Sequence, residues 1–561
     1  MWWLLLLSLA HGIMDPDEQE KRLAWKYLDC ANLLDEHDRL VDWPGFRRYL
    51  LETPYPANMD AVFDVLNRLS GSSSNYDEEA RVCLMGVPAA FFYLTHFTLD
   101  TMEKDEQGRP ADAEAVKKAT LQYSVFENYI SALHPGLINA ANWSFNDEQV
   151  FVLRKQILRA YRQLEAKKSQ DAKNPPFKVY VYDEEEVPQL KPLLRSQIYC
   201  SRGQWGTDVQ VHDYFVTSNC QTDDPKEADF FFVPGYAICV LEGNLYTLDE
   251  VDELYKDLVV NLPYFNASGG RDHIFVFGSG MAQSVFQSWE EYIPQAIALT
   301  PETELFNDFA WVAIPPYRPF KDIVIPGSLD LIEVIAALEK SKPLAQRAYL
   351  TAFFGRADVA RGPHPWVGGV DVRKELLALK ELPGTDDLKF GDSATLEVMH
   401  QAYGNAKFCF VPRGKSGWSL RFFEALFAGC VPVMISDKWE LPFEDFLDVT
   451  RFVIKWPSTQ IGSQLIAYLR SLPDHIVQEY MEEAKRVRCW YFYPPKKLDV
   501  RSNLQRQHKV CPEENGQDAF QGILRILQRR MRKSRTSTQA FYFKDASGTL
   551  RYVDFDLRPL Q

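Results

Sequence analysis

Residues 406–435 constrain the fold more than any other part of the chain. The apolar run Phe408–Val411 reads as a strand and leads into a loop containing Gly414 and Gly417. A helical pattern follows from Ser419 to Ala428, Gly429 can stop it, and Val431–Ile435 reads as a buried strand. Strand, glycine loop, helix and strand make a βαβ unit. Arg413, Lys415, Arg421 and Glu424 fall around its loop and the first helical turns. Backbone N–H groups at a helix start, with fixed cations beside them, suit a diphosphate. A carboxylate one turn further along is placed to accept hydrogen bonds from sugar hydroxyls. The loop itself matches neither the Walker A loop nor the dinucleotide fingerprint.

The alternation of strand and helix extends well beyond this unit. Residues 177–182, 229–234 and 273–277 are strongly apolar, with helical patterns such as Leu248–Leu262 between them. It resumes at 349–355, 407–411 and 431–435. Parallel α/β layers follow from that order. Two α/β halves with a crevice between them are expected, one over 177–340 and one over 345–500, and open α/β sheets bind ligands at the carboxyl ends of their strands. The polar, proline-ended stretch 169–176 reads as a linker. Residues 13–170 carry helical periodicity, notably in Asp15–Leu40, Met59–Leu69, Ala111–Leu133 and Asn146–Lys168. A faint calcium-loop pattern from Asp35 fails, because Leu40 and Phe46 stand where its glycine and bidentate glutamate belong. Residues 501–561 are expected to form a separate helix and hairpin tail, with strands around an Asp-Ala-Ser-Gly turn within 541–555.

A net charge of −15 argues against a nucleic-acid partner. The one basic run, 529–535, is expected to be a solvated helix end. Residues 1–12 form a signal-like leader, with Ser8 and Ala10 in the arrangement that signal peptidase favours. A buried terminal segment and a shortened anchor are the other readings, since the run is too short to span a bilayer. Among nine cysteines there is no CxxC pair, so no zinc site is expected. Cys200–Cys220 and Cys489–Cys511 are candidate local bridges, whereas Cys239, Cys409 and Cys430 lie in apolar strand contexts that suit packed thiols. Asn142 and Asn266 head glycosylation sequons.

Several blocks taken together resemble the exostosin family of glycosyltransferases. They are 408–414 (FCFVPRG), Ser419, 421–436 (RFFEALFAGCVPVMIS) and 439–448 (WELPFEDFLD), with 222–234, 262–273, 321–328 and 353–356 upstream. They occur in the family's order over about 177–500. The resemblance implies two Rossmann-like lobes of the GT-B type and inverting, metal-independent transfer from a UDP-sugar to a glycan or glycoprotein. It also implies a place in the secretory pathway, most naturally the Golgi lumen, no resident cofactor, and assembly with itself or with related transferases. Arg356, Arg413, Lys415, Ser419, Arg421 and Glu424 become the expected donor-binding residues, with Arg356 after a strand and Gly355. Ser416 and Ser419 can cap the helix. A metal-dependent GT-A domain is not expected, since the Asp-x-Asp sequences at 15–17 and 554–556 lie in terminal segments.

Such a reaction needs a group to deprotonate the acceptor. Asp437, after the strand Val431–Ile435, is the one weak candidate, and capping a turn is its simpler role. Asp272 and His273 precede a strand, which puts them away from the crevice. Where plant relatives carry acidic residues after that strand, this chain has Gly278-Ser279-Gly280-Met281. The base is therefore unassigned, and a catalytically silent carbohydrate-binding or partner-stabilising subunit is the main rival. A retaining phosphorylase-like enzyme is weaker, because no lysine-anchored cofactor site can be picked out.

Overall fold

A computed structural model describes residues 177–194, 203–303, 317–319, 321–355, 372–391, 394–414, 416–494, 510–511, 517–536, 541–544 and 550–553, together with 150, 152–160 and scattered positions between 95 and 126. The leader, most of 13–170, Asn142, Cys200, Arg356 and Lys415 lie outside the described residues.

Two parallel sheets carry the architecture. The first holds β1 (Val179–Val181), β2 (Gln221–Thr222), β3 (Phe230–Val233), β4 (His273–Val276), β5 (Ile297–Thr300) and β6 (Ile323–Val324), in the order β2-β1-β3-β4-β5-β6. The second holds β7 (Tyr349–Phe354), β8 (Leu388–Gly391), β9 (Ala406–Pro412), β10 (Val431–Ile435) and β11 (Ile454–Lys455), in the order β11-β10-β9-β7-β8. The central strands β3, β4 and β10 are buried along their whole length, which is why they read as continuous apolar runs. The short edge strands β2, β6, β8 and β11 carry too little pattern to be found by periodicity.

Seven helices matter to the site: α1 (Thr207–Thr217), α2 (Leu248–Val260), α3 (Leu331–Lys340), α4 (Leu396–Gly404), α5 (Arg421–Phe427), α6 (Asp474–Val487) and α7 (Ala519–Thr536). α2 starts with a capping box in which the Thr247 side chain takes the Glu250 N–H and Glu250 takes the Thr247 N–H. α5 is shorter than its pattern over 419–428 predicts, because Ser419 and Leu420 belong to the turn before it.

In the second sheet β7 pairs with β8 on one side and β9 on the other. Strand order reverses there, and such a switch point opens a crevice outside the strand carboxyl ends. Gly355 ends β7 and Arg413 follows β9, so both border that crevice.

The two sheets share one core. Phe230, Phe232, Val276 and Leu299 belong to the same buried cluster as Trp418, Phe422, Phe423, Trp439 and Tyr491. The helix that precedes the terminal hairpin packs on both halves. Phe520 of α7 stacks on Tyr214 of α1 with centroids 4.1 Å apart, and Gly522 lies under Phe443 beyond β10. α7 therefore straps the two halves together. The basic run begins as the expected solvated helix end, since Arg529 is exposed, but Arg530 is drawn in. Arg529 sits over Phe446 and donates to the Asp445 carbonyl, and Arg530 donates to the Pro319 carbonyl while burial lowers its pKa. Beyond it, β12 (Phe541–Lys544) and β13 (Leu550–Val553) pair antiparallel.

The cysteines correct two expectations. Cys489 and Cys511 are bonded, with Cα atoms 5.6 Å apart. Cys220, however, is a free buried thiol, so the Cys200–Cys220 bridge is not formed. Cys409 and Cys430 are not packed thiols but partners in a disulfide, and Cys239 is disulfide-bonded as well. Parallel pairing explains the first of these: Pro432 lies opposite Cys409, which brings Cys430, just before β10, beside β9. No helix among the described residues is long and apolar enough to cross a membrane.

Candidate functional site

The loop between β9 and α5 is built by backbone contacts that bring it to the crevice. The Arg413 N–H bonds the Ile435 carbonyl, tying the β9 end to the β10 end, and the Gly414 N–H closes onto the Ser416 carbonyl. Ser436 Oγ donates to the Gly417 carbonyl. The first sheet meets this loop directly. The Trp418 N–H donates to Glu302 Oε2 at 3.1 Å, just past β5. A Cβ on Gly280, past β4, would lie 2.4 Å from Ser416 Oγ and 3.1 Å from Trp418 Nε1. A Cβ on Gly327, past β6, would lie 2.5 Å from the Trp418 ring. Glycines at 280 and 327 thus let the halves close on one another.

The cations gather at the same place. Arg421 opens α5, contacts Glu424 through Nη1 and lies 2.8 Å from Met399 Sδ. Glu424 is buried, with its side chain 8% exposed, whereas that of Arg421 is 29% exposed. The ion pair therefore exists, and the guanidinium still has an open side. Burial opposes the charge on Arg421, and the Glu424 carboxylate and then Tyr403 outweigh it, so its pKa is raised. Arg373, which the sequence did not single out, donates from Nε to the Arg413 carbonyl at 3.1 Å. Its Nη2 lies where a Cβ on Gly414 would be 2.8 Å away. Its only sequence signal is a basic pair at the start of the helix Val372–Ala378. Among the described residues, Arg373 and Arg421 thus flank the loop and both act on Tyr403, and Arg413 lies in the loop itself.

Ser419 is buried, and its Oγ accepts the Arg421 N–H at 3.3 Å, although the N-cap position of α5 is Leu420 and no side chain caps it. Asp437 makes the bonds of the simpler, turn-capping role. Its two carboxylate oxygens take the backbone N–H and the hydroxyl of Ser458, at 2.9 and 2.5 Å. Asp272 and His273 form a structural node at the start of β4. His273 is fully buried, bonded to Asp272 at 2.7 Å and Tyr182 at 2.9 Å, and stacked on Phe231. Asn266 is exposed in the short helix Phe265–Ser268.

Behind Arg421 lies a set of titratable groups from α3 and α4. Glu333 has its pKa pushed up to about 7, first by burial and then by the Asp330 and Glu424 carboxylates. Burial pushes the His400 imidazole down. Arg347 braces the whole unit from below. It donates to the carbonyls of Lys342, Tyr403, Ala406 and Ala428 and to Ser341 Oγ, at 2.5–3.3 Å. Cationic side chains converging on a glycine loop at strand carboxyl ends can hold a diphosphate and stabilise it as it leaves.

A family model described as the Exostosin GT47 domain matches residues 173–472. The chain is similar to a probable glucuronoxylan glucuronosyltransferase of Arabidopsis thaliana, 26% identical over 331 residues covering 55% of this chain and 66% of that protein. It is similar to a probable glucuronosyltransferase of Oryza sativa subsp. japonica, 27% identical over 338 residues covering 54% of this chain and 70% of the other. It is also similar to a probable beta-1,4-xylosyltransferase of Arabidopsis thaliana, 27% identical over 387 residues covering 64% of this chain and 83% of that protein. The chain thus spans about two thirds of the first two relatives' length.

Proposed function

The chain belongs to the exostosin GT47 family, and from that premise we propose that it transfers a sugar from a UDP-sugar to a polysaccharide or glycoprotein glycan. The observation that carries this reading is the loop between β9 and α5, at the switch point of the second sheet, with Arg413 in it, Arg373 bonded to its backbone and Arg421 opening the helix that follows. A diphosphate leaving group carries negative charge that fixed guanidinium groups offset in the transition state. Arg356 and Lys415 join the same set in this proposal, since one follows β7 and the other sits in the loop. Glu424, paired with Arg421, takes a donor hydroxyl in this proposal. The neutralising charge comes from side chains, so the proposed transfer is metal-independent and needs no resident cofactor. It inverts the anomeric centre, by attack from the first-sheet side of the crevice.

The names of the relatives make UDP-glucuronic acid and UDP-xylose the first donors to try, with xylan-type oligosaccharides as acceptors. Disulfides Cys409–Cys430 and Cys489–Cys511 support an oxidising lumen such as that of the secretory pathway. Incubation of the full chain with each donor and acceptor, followed by mass analysis, tests the reading. It predicts an acceptor lengthened by one or more sugars. UDP-sugar binding with no transfer to any acceptor would favour the silent-subunit role, in which the chain supports a related transferase.

A further inference from the structure

We propose that Asp208 is the group that takes the proton from the acceptor hydroxyl, an assignment that rests on the transferase reading above. Asp208 is the second residue of α1, and its carboxylate lies against the end of β4. Its Oδ1 accepts the Gly278 N–H at 2.7 Å. Its Oδ2 has no hydrogen-bond partner, although the residue is only 1% exposed. The neighbouring Thr207 hydroxyl is buried without a partner too. Buried polar atoms are nearly always paired, so a carboxylate oxygen left without a partner calls for an explanation, and a catalytic role is one. The contrast within this fold is plain. Asp322 is equally buried but bonds Gln283, Ala298, Arg318 and Lys321.

The loop at 278–281, where an acid was missing from the sequence, is shaped around Asp208. A Cβ on Gly278 would stand 2.4 Å from Asp208 Oδ1 and 3.0 Å from Thr207 Cβ, so only glycine lets the carboxylate in. Two residues on, Gly280 abuts Ser416 and Trp418 of the loop that carries the cations. One short loop therefore joins the carboxylate to the donor side. For this assignment to hold, an acceptor must reach Oδ2 by a parting of the halves between Gly280 and Ser416.

The electrostatics agree with this geometry. Burial pushes the Asp208 carboxyl up to about 8, against the opposing Gly278 hydrogen bond. The groups that feel its charge are the hydroxyls of Tyr236, Tyr255 and Tyr493. Arg154 and Asp213 also act on Tyr236, and Asp518 on Tyr493. A base with a pKa near the working pH is suited to proton transfer. In the step, the acceptor oxygen bonds to the anomeric carbon as the bond from that carbon to the diphosphate oxygen breaks. The bonding pair leaves with the diphosphate, which Arg413 and Arg421 hold, and the hydroxyl proton ends on Oδ2.

The test uses the full chain with a UDP-sugar and an acceptor on which the wild type works. Asp208→Asn should lower kcat at least 100-fold, while the donor Kd stays within threefold and the melting temperature does not fall. Wild-type kcat/KM should rise with pH through a single ionisation near 8, and the residual rate of Asp208→Asn should be flat. If the variant does not fold, the wild-type profile decides, and a flat profile from pH 6.5 to 9 overturns the assignment. Transfer by Asp208→Asn within tenfold of wild type, or donor affinity lost in parallel with rate, also overturns it and leaves the transferase reading standing. A wild type that neither binds a UDP-sugar nor transfers removes both.

Discussion

Replacing Arg421 with methionine separates two roles that one guanidinium can play. Arg421 is the ion partner of Glu424, whose side chain is only 8% exposed. Breaking a fully buried pair from one side costs about 3–5 kcal/mol. Arg421 is 29% exposed, so solvent screens that side, and we expect a stability loss of roughly 1–3 kcal/mol. Glu424→Gln keeps a hydrogen-bond acceptor for the guanidinium and should cost about 1 kcal/mol. The double variant should be more stable than the sum of the two losses predicts, because no orphaned carboxylate remains. Donor binding gives the second readout. A hydrogen bond to a charged group contributes about 1.5–3 kcal/mol, so losing one from a diphosphate should weaken the UDP-sugar Kd by roughly 10- to 150-fold. Denaturant melts measure the first quantity, and calorimetric titration at a temperature where every variant is folded measures the second. A variant that is destabilised as expected, yet binds the UDP-sugar within threefold of wild type, would show that Arg421 serves only Glu424.

Other outcomes follow from the same geometry. Arg347→Met removes the donor from the buried carbonyls of Ala406 and Ala428 and should cost about 2–6 kcal/mol at roughly 1–3 kcal/mol for each, read by denaturant melts. Removing both Cys409 and Cys430 by alanine opens a loop of 21-residue separation and should cost about 3 kcal/mol, with a melting temperature that no longer responds to reductant at this site. Glu333 has a folded pKa raised from 4.5 to about 7, so the folded state holds its proton more tightly than the unfolded state. Its contribution is fully present below pH 4.5 and is lost as pH rises to about 7, and Glu333→Gln should flatten the fall in melting temperature across that window. Gly280→Val places its side chain against Ser416 and Trp418 and should cost about 1–3 kcal/mol of stability by overpacking, read by denaturant melts.

The sequence disclosed those parts of the fold whose pattern is local. Strands β3, β4, β9 and β10 are buried on both faces, so each reads as an apolar run, and Arg413, Arg421 and Glu424 come with the βαβ unit they decorate. Strands of two residues, such as β2, β6 and β11, carry no period to detect. Arg373 and Asp208 were missed because their roles depend on which strand ends meet, and that is fixed by the crossovers of the sheets. The Cys409–Cys430 bond was missed for a similar reason. Both residues look like packed thiols until β9 and β10 are known to lie side by side. The packing of α7 across the halves is not legible either, because nothing local announces that Phe520 will stack on Tyr214, more than 300 positions earlier in the chain.

Direct calorimetric titration of the wild-type chain with UDP and with UDP-glucuronic acid and UDP-xylose tests the central claim, that the loop between β9 and α5 holds a nucleotide-sugar diphosphate. The account predicts one site per chain, with UDP itself binding and raising salt weakening it, as expected for an anion held by guanidinium groups. Saturating concentrations of all three that release no heat and leave the melting temperature unchanged would contradict it.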